Sequence, residues 1–566
     1  MSVPERSRAV TWSDAPFVVA AVASGVFLLY LGRSLTFWYD EWDFITFSGS
    51  AGDFLRPHNE HWSTLPLLLY RGTFRVAELH SYLPYLAELI VLHVGAVAGA
   101  YVLMRRRLGP FLATVLCLPL LLLGAGSENL FWAFQTGIVG SVLLGVWALV
   151  LLERSGRRSA WVASLLVLGS VMSSGIGLFF VVAAFGRTAL DPELRSRTLT
   201  VVPAVLAYAV WHLSFGGEAV DSAGPSDLPA VLNFASRGIG HAAEVMFALE
   251  GLPVREGLGL LLVCVLFVVA AFSAFRGQQR TLAIACLLAL VSMYVAIGLV
   301  RESLNLAHWD RSRYVYVAAF LLALTLSDLL SRHASAGAPS VRNKAIGFSI
   351  LAGAAWALAA NIDALERWQA LHEHRAGLAR AFIGLAVRPD AAPWVDPAAR
   401  LENIPTVQEL RVIVDRYGSP VEDRIVSSVP KTPSPTAREQ AILAIVGERF
   451  RVGPASGSGS PIPIELAEAR GVSVTSASRC IGLRDMEDDA RVVLAVPPDT
   501  RLRVHATQPV FGAVGLGYRQ YPARWLGMSL DGRFPADVVV PAGPGTWRIG
   551  LSFPGATGDV LVCALA

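Results

Sequence analysis

Polar and apolar positions in this chain fall into long blocks before they fall into fine alternation. Up to residue 362, apolar runs recur at or near the roughly 20 residues that a bilayer crossing needs, with short polar segments between them. Eleven such runs are predicted as membrane helices: 16–35, 82–104, 110–125, 134–152, 159–173, 176–190, 198–215, 256–276, 281–300, 313–331 and 345–362. The fifth and sixth are short and joined by "SSGIG", so a re-entrant pair is the alternative there. Gly175 and Gly177 in that joint read as close helix packing, since the stretch is too short for a phosphate loop. From Trp62 to Leu79 the apolar residues recur at helical spacing with Arg71, Arg75 and Glu78 between them. That pattern predicts an amphipathic helix lying on the membrane surface. "NFASRGIGHAAEVMFALE" predicts a second.

Beyond residue 362 the pattern changes. "DALERWQALHEHRAGLARAFIGL" reads as a helix, a Pro-rich irregular stretch follows, and "TVQELRVIVDRYG" reads as another helix. "VGPASGSGSPIP" has linker composition. The remainder alternates with a period of two in short runs ("RVVLAV", "RLRVHAT", "TWRIGLS", "DVLVCALA") separated by Pro and Gly, which predicts an antiparallel β-sandwich. The expected fold is an α-helical polytopic membrane protein with a C-terminal extracytoplasmic α+β region. Its expected segments are 1–362 (membrane bundle), 363–455 (connector) and 456–566 (sandwich).

Composition agrees: of 566 residues, 54% are hydrophobic and 16% charged, which excludes an ordinary soluble domain. A net charge of +3 gives no case for nucleic acid. The basic residues are almost all arginine, with lysine only at Lys344 and Lys431, a bias that suggests a GC-rich bacterial genome. Arg6 and Arg8 precede the first run and no small-residue cleavage site follows it, so it reads as a retained helix. With the N-terminus inside, every inner segment is basic, as the positive-inside rule expects. Eleven crossings then put the C-terminal region outside, where disulfides persist. Cys480 and Cys563 are the candidate pair, two buried thiols being the alternative; Cys117, Cys264 and Cys286 sit in apolar runs as small hydrophobes. Tyr518, Tyr521 and Trp525 in "GYRQYPARW" either form a sugar-stacking platform or fill the sandwich.

Candidate chemistry concentrates just beyond the first run, in "FWYDEWDFI". Asp40, Glu41 and Asp43 lie among aromatic residues where a membrane surface is expected, and an ionised carboxylate there needs water or a polar cavity. Three readings compete. The acids belong to a solvated loop with Trp38, Tyr39 and Trp42 as an interfacial belt. They form a divalent-metal site with His58, Glu60 and His61. Or one is a general base. Other polar residues converge on the same face: Asn59 beside the histidines, Glu128, Asn129 and Gln135 in "GSENLFWAFQT", and Arg301, Glu302, Asp310, Arg311 and Arg313 in "RESLNLAHWDRSRY".

An acidic pair directly after the first membrane helix, in a long outer loop with an interfacial helix, resembles the GT-C superfamily of integral membrane glycosyltransferases. Protein O-mannosyltransferases, the aminoarabinose transferases of lipid A and mycobacterial arabinosyltransferases belong to it. The resemblance covers residues 16–365 as architecture and "YDEWD" as a local motif. It implies a bundle of eleven to thirteen helices, often with a β-rich outer domain, a donor sugar on a polyprenyl phosphate, and inversion at the anomeric carbon. On this sequence it implies Asp40 as base and Glu41 as its acidic neighbour. Asp43 is an extra acid, which a two-to-three-residue offset places on the same side of an irregular loop.

The remaining assignments are chemical inference. Arg311 and Arg313, with Tyr314 alongside, suit the departing lipid phosphate, because a guanidinium offers bidentate hydrogen bonds; snorkelling or pairing with Asp310 is the plainer role. His58, Asn59, His61, Glu128, Asn129 and Gln135 are candidates for holding donor or acceptor. The acceptor is expected to be a cell-envelope glycan or glycolipid, and a divalent cation (Mg, Mn or Ca) stays open as a cofactor. The rival classes are a polysaccharide polymerase or ligase, a lipid-linked-sugar transporter using Glu88 and His93 near mid-bilayer, and a non-catalytic glycan-binding scaffold.

Overall fold

The computed structural model describes residues 12–566 except 47–51, 60, 217–227, 250–256, 277–279, 302–307, 309, 335–340, 389–393, 422–433, 478, 519–523, 531 and 555. The chain forms two units, one of residues up to Leu35 with Asp43–Ala77 and Tyr82–His372, the other of Thr36–Trp42, Glu78–Ser81 and Glu373–Ala566.

In the first unit the helices follow the apolar runs. They are α1 (Ala15–Leu31), then α2 (Glu41–Thr46), which the units share, α3 (Thr64–Ala77), α4 (Leu83–Leu108), α5 (Pro110–Leu121), α6 (Glu128–Phe131), α7 (Thr136–Leu152), α8 (Arg157–Ser173), α9 (Gly177–Leu190), α10 (Val202–Phe215), α11 (Leu228–Met246), α12 (Leu258–Phe275), α13 (Thr281–Arg301), α14 (Ser312–Ala334) and α15 (Val341–Ala386). Among the described residues, eight helical segments are long and apolar enough to cross a membrane, by length and composition, and α5 and α9 are shorter apolar helices. This is a multi-pass membrane protein. No break occurs at residue 362. Helix α15 continues to Ala386 because "NIDALERWQALHEHRAGL" trades apolar for charged residues without a proline.

Small residues and hydroxyls set the packing, as expected where lipid supplies no hydrophobic drive between helices. Ser141 on α7 and Ser170 on α8 each donate to the other's carbonyl, at 2.7 and 2.8 Å. Gly145 lies under the Phe180 ring, so close that a Cβ would sit 2.2 Å from it. Helix α11, expected on the membrane surface, buries Val231, Phe234, Gly238, Ile239 and Ala242 along one face. Gly240 meets Gly259 of α12, where a Cβ on Gly259 would be 2.0 Å from the Gly240 carbonyl, and Gly238 fits under Tyr294 of α13. Gly177 turns α8 into α9 tightly, with a Cβ there 2.3 Å from the Ser170 carbonyl group.

At one end of the bundle Arg105, Arg106, Arg107 and Arg187, in the last turns of α4 and α9, are paired with carboxylates. Glu153, after α7, meets Arg106 (3.2 Å), Arg107 and Arg187 (3.4 Å). Arg107 also binds Asp328 of α14 (3.1 Å), and Asp328 accepts the Ala283 backbone N–H (3.0 Å). Arg187 reaches Asp191 and Thr281. Asp14 takes Arg105 (2.9 Å) and the Tyr101 hydroxyl (2.7 Å). One connected set of charges thereby joins α4, α7, α9 and α14.

The second unit holds the end of α15, α16 (Val407–Tyr417), α17 (Pro435–Ile445) and two antiparallel sheets. Thr406 and Glu409 form a reciprocal capping box that starts α16. The strands are β1 (Arg451–Pro454), β2 (Pro461–Ile462), β3 (Glu465–Arg470), β4 (Ser473–Ala477), β5 (Cys480–Arg484), β6 (Arg491–Val496), β7 (Arg501–Ala506), β8 (Val510–Gly517), β9 (Arg524–Leu530), β10 (Ala536–Val539), β11 (Trp547–Ser552) and β12 (Val560–Leu565). One sheet runs β1-β10-β7-β12-β5-β4 with β2 on β12, and the other β3-β6-β11-β8-β9. Alternate residues are buried in β7 and β5, as a sheet with one packed face requires. Trp547 is wholly buried and donates to the Pro541 carbonyl (2.8 Å). Cys480 and Cys563, directly opposed on β5 and β12, are disulfide-bonded.

Candidate functional site

The first outer turn belongs to the second unit. Trp38–Glu41 is a tight turn in which Tyr39 adopts φ of +51°, a left-handed conformation unusual for a bulky aromatic. Glu41, fully buried, folds its carboxylate back onto the Trp38 backbone N–H (2.7 Å). That bond braces the turn at the point of strain. Asp40 is 6% exposed and accepts a hydrogen bond from the Asn403 side-chain amide at 2.7 Å. Asn403 lies 363 residues away in sequence, in "LENIP". The stretch 41–46 is a helix rather than an irregular loop, with positions 41, 42, 44 and 45 buried and 43 and 46 exposed. Asp43 therefore does not share the buried side of Asp40 and Glu41.

The other candidates lie in the first unit. His58 and His61 exchange backbone hydrogen bonds at 3.0 Å, closing a two-residue hairpin turn. Asn59 supplies its left-handed position (φ +45°), which asparagine tolerates, so its visible contribution is conformational. The His58 ring meets Phe44 edge-on; burial lowers its pKa, opposed by Asp53. Arg71 of α3 donates to the Ile45 carbonyl (3.0 Å). Trp62 stacks on Trp211 and donates to Thr64, while Trp211 donates to the Leu55 carbonyl, so α10 braces this loop.

"GSENLFWAFQT" is buried rather than a surface loop. Gly124 lies so close to α15 that a Cβ would be 2.0 Å from the Asn361 carbonyl oxygen, and Ala125 donates to the Asn361 side chain. Ser312, the first residue of α14, accepts from the Glu128 backbone N–H (3.2 Å), and Asn129 donates to the Arg313 carbonyl (3.3 Å). Glu128 faces the Arg313 guanidinium at 3.6 Å. Glu128 Oε2, Asn129 Oδ1 and Arg313 Nε are buried and make no hydrogen bond among the described residues. Gln135 is buried at the start of α7. Tyr314 is buried, Arg311 is half-buried with its carbonyl opening α14, and Asp310 is exposed.

His61 packs on Gly175 and is half-buried. Burial, then the charges of Arg301 and Arg313, bring its pKa from 6.5 down to about 4. Arg301 and Arg313 are thus charges that reach the His61 ring. Because the folded pKa of His61 lies below its unfolded value, its contribution to stability is full above pH 6.5 and falls away as the pH drops towards 4. His61→Gln is expected to flatten the melting temperature across that window in a detergent thermal-unfolding series. An unchanged pH dependence would contradict the burial of a neutral ring.

Among the described residues no three His, Cys, Asp or Glu side chains are grouped to hold a metal ion, and Glu60 lies outside them. Glu41 is turned onto a backbone N–H and Asp40 onto an amide. His93 bonds Tyr316 (3.0 Å) and the Leu121 carbonyl (3.2 Å). A carbonyl only accepts, so Nε2 carries the proton and Nδ1 accepts from the phenol, a satisfied core histidine. Glu88 accepts from Thr73. Tyr518 packs edge-on against the buried Trp547, so it fills the sheet; Trp525 is 38% exposed under Arg491, and Tyr521 lies outside the described residues.

No known protein family matches the chain, and no curated protein does. Among solved structures it is similar to the Archaeoglobus fulgidus oligosaccharyltransferase. The complex with Zn and sulfate matches with a TM-score of 0.37 and 16% identity, over 67% of this chain and 56% of that one. The form tethered to an acceptor peptide gives 0.37 and 14%, over 75% and 60%. The archaeal oligosaccharyltransferase AglB with an inhibitory peptide and a dolichol-phosphate gives 0.38 and 14%, over 68% and 59%. The chain thus spans less than two thirds of those proteins' length. Likeness this slight says nothing of substrate.

Proposed function

We propose that this chain is a GT-C-type membrane glycosyltransferase that moves a sugar from a polyprenyl phosphate to a hydroxyl of a cell-envelope glycan or glycolipid. The observation that carries the reading is the turn beyond α1. There a strained tyrosine and a carboxylate-to-backbone bond hold Asp40 buried and hydrogen-bonded to an amide. Buried carboxylates and strained backbone are costly and concentrate where chemistry is done. The reading places the protein in a bacterial plasma membrane with its N-terminus cytoplasmic and the sheets outside.

In this reaction the acceptor oxygen bonds to the anomeric carbon while its proton passes to Asp40. The bond from that carbon to the phosphate oxygen breaks, and its electron pair leaves on the polyprenyl phosphate, with inversion at carbon. Glu41 keeps the Asp40 turn in place. Arg301 and Arg313 are the groups suited to the phosphate, since the charge of both reaches the His61 ring and the Arg313 Nε offers a donor. His61 stays neutral beside them and adds no third charge.

A deletion strain of the source organism is expected to accumulate a polyprenyl-phosphate sugar and to lack one envelope substituent, both read by mass spectrometry. An unchanged lipid-sugar pool and unchanged envelope glycans would remove this reading. Arg313→Ala and Arg301→Ala are each expected to weaken donor binding on the order of tenfold, with only partial recovery in the lysine variants, which lack the planar fork. Wild-type donor affinity in the double alanine variant would return both arginines to helix anchoring.

A further inference from the structure

We infer that Asn403 is a positioning residue for the base: its side-chain amide fixes the rotamer of Asp40 and keeps that carboxylate ionised at small cost to its basicity. The inference rests on the reading of Asp40 above. An ionised carboxylate only accepts hydrogen bonds, so the 2.7 Å contact is a donation from Asn403 Nδ2 to Asp40 Oδ1. Donation to the charged form favours it. An arginine or lysine at the same place would favour it far more strongly and leave a weak base. A neutral amide orients the carboxylate at smaller cost to its proton affinity.

The loop carrying Asn403 is rigid. Glu402 takes a left-handed conformation (φ +49°), and Ile404 closes a turn onto the Leu401 carbonyl (3.0 Å). Ile404 is wholly buried, and Thr406 caps α16 with its reciprocal bond to Glu409. Val407 and Gln408 donate to the carbonyls of Ala399 and Pro397, tying the loop to the chain before it. Both partners therefore sit directly after a positive-φ residue, each in a turn secured on the far side by buried or capped structure. A hydrogen bond between two such turns has little freedom to wander, which is what a positioned base needs.

The test uses the purified full-length protein added to membranes of the deletion strain, which hold the accumulated lipid-linked sugar and the unmodified acceptor. Consumption of the lipid-linked sugar is followed from pH 5.5 to 9. Asn403→Ala is expected to cut the maximal rate on the order of ten- to a hundredfold, to leave half-saturation by donor unchanged, and to move the acid limb of the rate profile to higher pH. Asn403→Asp is expected to move that limb further, because two carboxylates then face each other. Asn403→Gln, which keeps the donor, is expected to recover part of the rate. A profile and rate like the wild type in Asn403→Ala, alongside an inactive Asp40→Asn, would overturn this role while leaving the base in place. Full rate in Asp40→Asn would instead overturn the base reading itself.

Discussion

Asp40→Asn is expected to lower the rate of sugar transfer by about 10²–10⁴ while the protein stays folded and still binds donor. The magnitude is that of removing a positioned general base. Asparagine keeps the shape of aspartate but has no basic oxygen pair, so loss of rate without loss of donor binding isolates the proton transfer. Its amide can also turn its own oxygen to the Asn403 donor, which preserves the turn. Glu41→Gln keeps an acceptor for the Trp38 N–H but weakens a bond to a charged group, and a smaller loss is expected, felt in both affinity and rate. Asp43→Asn is expected to be the mildest, because Asp43 is on the exposed side of α2. Turnover of lipid-linked sugar by the three purified variants measures all of this. A fully active Asp40→Asn beside a dead Asp43→Asn would transfer the role.

Glu153→Ala is expected to be the most destabilising single change in the membrane unit, by about 3–5 kcal/mol. Breaking a buried ion pair leaves uncompensated charge in a poor solvent for it. Here one carboxylate faces Arg106, Arg107 and Arg187 together, and its side chain is 12% exposed. Arg107 keeps Asp328 and Arg187 keeps Asp191 after the change, which sets the lower end of the range. Burial raises the Glu153 pKa, but the three arginines outweigh it and hold the group below its usual 4.5. Its stabilising contribution is then full above that value and lost as the pH falls further. Unfolding of wild type and variant in the same detergent, near neutrality and at pH 4, separates the two effects. A midpoint difference near zero at neutral pH would mean the cluster is only decoration.

Periodicity made most of the membrane unit legible. The run predicted at 281–300 is Thr281–Arg301, and the amphipathic pattern from Trp62 to Leu79 is the helix Thr64–Ala77. Distant contacts were less legible. Helix α11 has the one-sided apolar pattern expected of it, but the close approach of α12 and α13 at its glycines is a contact that spacing alone does not reveal. Helix α15 reads as two helices because its polarity changes midway, but nothing in its backbone chemistry stops it. At the candidate site the acids themselves were visible in "YDEWD". Asn403 was not, because a single amide 363 positions away carries no spacing signal. Arg301 was visible as a charge, and only the burial of His61 tells it from Arg311 as a neighbour of that ring.

The charge cluster around Glu153 also bears on how the chain is made. Orientation in the membrane is decided during insertion by arginine and lysine near the helix ends, with acidic residues counting little. When α4 enters, Glu153 and Asp328 have not yet been synthesised, so Arg106 and Arg107 lack those partners. The same two guanidiniums act later as assembly contacts, once Glu153 and Asp328 arrive from further along the chain. On the proposed topology Arg106 and Arg107 thus serve twice, first as an address and afterwards as a clasp. Removing Glu153 should leave every helix threaded in its proper direction and yield a bundle that is correctly inserted but loosely closed.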